Sequence, residues 1–263
     1  MRTIPDKSLP TSGLKSPQFA ILFAVFCVAA ICPAAQSQAP IQTITQPSNP
    51  NRPSDQEIIQ RIDAAVYQRF NAVTGYTVRE QYSLFRNGES NPSAQETIQT
   101  VYNRSTGKQY TAVAQSGSSL MRSAVIDHIL ASEKEINLPA NREAALITSH
   151  NYNLHPEPGV VEKNGRQCIV VDLHPRHKSP HLFTGKAFVD TSDFTVVHIE
   201  GVPSQSPSFF AGETKVSRDY IKIDGFSMAT HAEARSHSFL FGDTLLTIDY
   251  SDYKIDQTPA TNP

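Results

Sequence analysis

His174, His177 and His181, in the run His-Pro-Arg-His-Lys-Ser-Pro-His, make the one ligand-like cluster in the sequence. Three imidazoles this close could bind zinc or copper. Pro175 and Pro180 place them instead in an exposed hairpin loop, where Arg176 and Lys178 add positive charge that disfavours a cation. His231, Glu233 and His237 share one strand face at even spacing, the pattern of a solvated surface. Ser, His and Asp all occur, but no Gly-x-Ser-x-Gly elbow, Gly-rich phosphate loop or Cys-x-x-Cys pair does. The residue types thus point away from an enzyme and towards no cofactor. Glu80 stands out differently. It has the parity of Tyr76, Val78, Tyr82 and Leu84, so a continuous strand would aim a carboxylate into an apolar face. A buried, unpaired carboxylate is costly and often marks function. The alternatives are a bulge or a place at a cavity mouth.

These residues need strands to position them. Residues 185–201 carry the clearest hairpin signal. Ala187 and Val189 alternate with Lys186, Phe188 and Asp190, the chain reverses at Thr191-Ser192-Asp193, and a β-branched return strand ends at Gly201. Further strands are expected at 76–85, 95–104, 109–115, 167–173, 220–223, 226–235 and after Gly242. Asn87-Gly88, Asn164-Gly165 and Asp224-Gly225 supply turns. Ser54-Asp55-Gln56-Glu57 is a capping box opening a helix, with Ile58, Ile59, Ile62, Ala65, Val66 and Phe70 on one stripe. Leu120, Met121, Ala124, Val125, His128 and Ile129 fit a second helix over 120–136, and 141–145 a short helical turn. The order is helix, strands, helix, strands, with no solenoid repeat and no βαβ alternation. Nine to eleven antiparallel strands and two principal helices make an α+β fold. A sheet this wide curls into an incomplete β-barrel, with the helices covering its concave side and a cavity between.

The N-terminal segment is read apart. Arg2, Lys7 and Lys15 outweigh Asp6, residues 19–31 are apolar, and Ala34, Ala35 and Ser37 form a small-residue exit. That pattern describes a secretory signal peptide over 1–37, cleaved after Ala35 or Ser37. Its apolar core is short of the ~20 residues a spanning helix needs, so a retained anchor is the weaker reading. Ile31 before Cys32 argues against lipidation there. Cys168 alone remains in the mature chain, too few for an internal disulfide. Residues 38–53, rich in Gln, Pro, Asn, Ser and Thr, read as a disordered linker, 54–256 as the domain and 257–263 as a disordered tail. A net charge of -2 leaves no electrostatic footprint for nucleic acid.

With these elements in place the residues resemble a known family. The capped helix and first hairpin are followed by Asn-Gly-Arg-Gln-Cys-Ile-Val-Val-Asp-Leu at 164–173 and Gly-Lys-Ala-Phe-Val-Asp at 185–190. Then come Phe-Thr-Val-Val-His-Ile-Glu at 194–200 and, after Gly242, Ile-Asp-Tyr-Ser-Asp-Tyr at 248–253. Together they resemble the LolA-like lipoprotein-sorting superfamily, which includes LolB-type and RseB-type domains. The resemblance implies an incomplete barrel closed by helices and holding acyl chains of lipoproteins or other lipids in the periplasm. It implies no catalytic residues. A sensor or protein-interaction module on the same fold, with an envelope membrane protein as partner, is the alternative. Strand parity alone assigns Val78, Glu80, Tyr82, Leu84, Ile169, Val171, Val197, Ile199, Leu246 and Ile248 to the lining or backing of the cavity.

Overall fold

Ser54 starts the first helix, α1 (Asp55–Ala72), and its hydroxyl accepts from the Glu57 backbone N–H at 3.2 Å. Only that half of the capping box forms as drawn, because the Glu57 carboxylate accepts from Arg61 one turn on. The computed structural model describes residues 52–205, 214–238 and 242–257. The segment read as a signal peptide, nearly all of that read as a linker, and the residues after 257 lie outside these. Ile58 and Ile62, fully buried, turn the apolar stripe of α1 towards the sheet.

Among the described residues the sheet has eleven strands: β1 (Val73–Arg86), β2 (Ala94–Asn103), β3 (Gly107–Gly117), β4 (Tyr152–Pro156), β5 (Val161–Lys163), β6 (Arg166–Pro175), β7 (Phe183–Asp190), β8 (Val196–Pro203), β9 (Thr214–Ile223), β10 (Phe226–Ser238) and β11 (Gly242–Gln257). Their order is β3-β2-β1-β11-β10-β9-β8-β7-β6-β4, with β5 also on β6. The last strand therefore pairs with the first, antiparallel, from Val73–Gln257 to Arg86–Thr244. The end strands β3 and β4 do not meet, so the curved sheet stays open. Sequence reading leaves β4 and β5 unassigned. They are short, and they flank the proline-rich loop after Pro156.

The β7–β8 hairpin holds the tightest backbone approach. Gly185 pairs with Gly201, and a Cβ on Gly185 would meet the Glu200 carbonyl at 2.1 Å and the Gly201 Cα at 2.5 Å. Both obstacles are backbone, so neither can swing aside. Gly185→Ala is expected to cost about 1–3 kcal/mol by overpacking, read as a lower midpoint in urea unfolding; an unchanged midpoint would mean the strands separate freely there. The turn is also tighter than its composition suggests. Asp190 accepts from the Ser192 N–H and Asp193 from the Thr195 N–H, at 2.6 and 2.9 Å. Phe194 follows at φ 59°, a conformation that large side chains avoid, and its ring is buried under Arg61.

The second helical segment departs from the regular helix expected. It runs as α2 (Ser119–Met121), a π turn (Arg122–Ile126) and α3 (Asp127–Ile136). The wider π turn moves the inward face along by one residue. Leu120 and His128, placed inward by a 3.6-residue period, are exposed, while Ile126 is fully buried beside Met121 and Val125. These three pack with Tyr82, Leu84, Ala94, Ile98, Ala232, Leu246 and Ile248. A second cluster joins α1 to the other half of the sheet, where Ile58 and Ile62 meet Tyr152, Leu154, Ile169, Val171, Leu173 and Leu182. Two helical segments thus fill the two ends of the concave side and leave its middle uncovered.

Candidate functional site

Between the two packed clusters lies a cavity of about 440 Å³. Its floor is β8 to β11 and β1, and its walls are α1, α3 and the segment from Arg142 to Tyr152. Val66, Ile129, Ile147, Val196, Ile199 and Phe226 give it an apolar surface, with Met228, Ala232, Leu246 and Ile248 beneath. Alternation explains the floor. Leu246, Ile248 and Tyr250 alternate inward along β11, and β10 contributes the small side chains of Ala232 and Ala234, which leave space rather than fill it.

One side of this cavity is charged. The Lys108 ammonium on β3 lies 2.7 Å from one oxygen of Glu133 on α3, and Arg218 on β9 lies 3.5 Å from the other. The Glu133 side chain keeps 26% exposure and Arg218 33%, both on the cavity wall, so the network opens onto the ligand space. Burial pushes the Glu133 carboxyl up, but Lys108 and Arg218 outweigh it and hold its pKa at about 2. Burial likewise opposes the Lys108 charge, and Glu133 overcomes it, raising the Lys108 pKa well above its ordinary value. Next to this network, across β1, β2 and β3, Tyr76, Tyr102 and Lys108 stand in one row. The Tyr76 ring stacks on Tyr102 with centroids 4.9 Å apart. The Tyr102 hydroxyl accepts from Arg142 at 2.8 Å.

Glu80 faces inward from β1, 2% exposed, and accepts from the Tyr82 hydroxyl at 2.7 Å. The two irregularities in the β1–β11 register fall earlier, between Val73 and Gly75 and between Thr77 and Arg79. Glu80, Ile199, Leu246 and Ile248 reach the cavity wall together. Tyr82 and Leu84 lie in the packed cluster under the second helical segment, and Ile169 and Val171 in the cluster under α1. Val78 is buried away from the cavity wall. Val197 is the extra residue of a bulge, since Phe188 pairs with His198 and Val189 with Val196. The bulge puts Val196 rather than Val197 on the wall with Ile199. Of the histidines, His181 lines the cavity and His174 lies against His155, with ring centroids 5.4 Å apart.

The charged wall residues Arg69, Lys108, Glu133, Arg142 and Arg218 escaped sequence reading, although two left a signal. Ile62, Val66 and Arg69 recur at helical spacing, as do Ile129, Glu133 and Ile136. A charge standing in an inward stripe is the helical counterpart of Glu80 on its strand.

No family model matches this chain, and no curated protein matches its sequence. Some solved structures align with it at low identity. A LolA superfamily protein from Nitrosomonas europaea aligns over 79% of this chain and 96% of its own, with 13% identity and a TM-score of 0.40. A putative outer membrane lipoprotein-sorting protein domain from Vibrio parahaemolyticus aligns over 79% and 93%, with 12% identity and a TM-score of 0.43. A chain of the Pseudomonas aeruginosa MucA/MucB complex aligns over 76% and 93%, with 9% identity and a TM-score of 0.25.

Proposed function

We propose that this chain binds the acyl chains of lipids or lipoproteins in its cavity, as an exported carrier or receptor that performs no covalent chemistry. The observation that carries this reading is the apolar space of about 440 Å³ between the sheet and the helices. That size suits a small-molecule site, for which roughly 300–1,000 Å³ is usual. Burial drives the binding at about 0.8 kcal/mol per CH₂ group. Release needs only a partner offering a similar apolar space. The leader read over residues 1–37 supports export to the periplasm, and residues 54–256 form the binding domain.

A second reading rests on a separate observation. Among the described residues, β3 ends the sheet with no strand on its outer side, and Val113 on it is 59% exposed. An open edge can accept an extended segment of another protein. An envelope membrane protein bound there would make the domain a sensor or interaction module instead. Recovery of the chain with or without bound lipid separates the two readings.

A further inference from the structure

Four cationic side chains line the cavity, Arg69, Lys108, Arg142 and Arg218, against three carboxylates, Glu80, Glu133 and Glu233. Two of those carboxylates are already committed. Glu133 lies between Lys108 and Arg218, and Glu233 beside Arg235 and His231 at 2.8 and 3.4 Å. Glu80 accepts from Tyr82. Among the described residues, Arg69 and Arg142 therefore have no carboxylate at ion-pair distance. The Nε atoms of both are shut off from solvent and have no hydrogen-bond partner. Such orphaned donors are costly, more so when they carry charge.

Both arginines act on the same tyrosine pair, Arg142 by contact and Arg69 by its field. Arg142 lies 4.6 Å over the Phe70 ring and donates to Tyr102, which stacks on Tyr76. Arg69, next to Phe70 in the chain, exerts its field on the Tyr76 hydroxyl. Capping α1 does not account for Arg69. Arg104 performs that task, donating to the carbonyls of Phe70, Asn71 and Val73. The apolar floor of β8 to β11 adjoins this pair, so one ligand can lie on both.

We propose that the cavity selects amphiphiles with an oxyanion head, a carboxylate or a phosphate, and that Arg69 and Arg142 hold that head while the acyl tail lies over β8 to β11. This deepens the acyl-binding reading and rests on it. The guanidinium fork matches a planar or tetrahedral oxyanion through paired N–H donors, and a partly dry site strengthens each bond. A neutral ester or alcohol head would leave the two charges unmatched.

The test is displacement of the neutral fluorophore N-phenyl-1-naphthylamine from the full chain by oleate, oleoyl lysophosphatidic acid and methyl oleate. Oleate, lysophosphatidic acid or both should displace it at least ten-fold better than methyl oleate, and whichever is preferred names the head as carboxylate or phosphate. Arg69→Gln combined with Arg142→Gln should remove that preference, bringing oleate and lysophosphatidic acid to the level of methyl oleate. If the double variant does not fold, Arg69→Gln alone, checked by circular dichroism, should still narrow the gap. Equal displacement by acid and ester, or a preference untouched in the variant, would overturn the head-group assignment while acyl binding stands. Failure of all three lipids to displace the fluorophore would overturn acyl binding as well.

Discussion

Glu133→Gln is expected to destabilise the folded chain by about 2 kcal/mol or more. Breaking a buried ion pair by removing one partner costs about 3–5 kcal/mol, because it strands the other charge. Here the carboxylate is a quarter exposed to the cavity, so the lower figure is expected, although two cations are stranded at once. The same variant changes the pH dependence. The folded carboxyl titrates at about 2 against an ordinary value of 4.5, so the unfolded state binds the proton more readily. Its contribution is complete above about pH 5 and is lost as pH falls towards 2; the full shift corresponds to about 3 kcal/mol. Other lowered carboxyls, Asp190 and Asp219, contribute to acid unfolding too. The informative quantity is therefore the difference between wild type and variant in urea unfolding, which should shrink from pH 6 to pH 3. A constant difference would mean that Glu133 is not held ionised by Lys108 and Arg218.

Ala234→Phe should reduce binding of a fluorescent long-chain fatty acid by about ten-fold or more, with little loss of stability. Ala234 sits on the cavity wall, between Leu246 on β11 and Val216 on β9 in register, and is only partly buried. A phenyl ring there would occupy ligand space rather than displace packed atoms. Filling a void commonly leaves stability unchanged or improves it. The contrast is with Gly185→Ala, where backbone blocks the added methyl and stability falls. Unimpaired fatty-acid binding by a well-folded Ala234→Phe variant would place the ligand outside this cavity.

The fold was largely legible because its signals are local. The Ser54 cap, the Asn-Gly turns and period-two alternation each act over a few residues, and nine to eleven strands with two helical segments follow from counting them. The bulge at Val197 and the π turn at Arg122–Ile126 were not legible. Each inserts one residue into a regular repeat, and no residue type in either marks the insertion. Parity counted through them misplaces Val197 and, on the helix, Leu120 and His128. The cavity was harder still. Inward parity is the same for Leu84, which packs against a helix, and for Leu246, which also reaches open space. Only the distance between α1 and the second helical segment decides which of the two a residue meets. Lys108 and Arg218 come from strands far apart in sequence, and their shared carboxylate exists only after the sheet has curled.

The most direct measurement is native mass spectrometry with lipid extraction. The chain would be expressed with its N-terminal segment in a Gram-negative host and recovered from the periplasm. Acyl binding predicts a population carrying a lipid-sized mass that organic extraction releases and that Ala234→Phe loses. A bare polypeptide mass, unchanged after incubation with oleate or with a lipoprotein, would contradict acyl binding and turn attention to a protein partner at the open β3 edge.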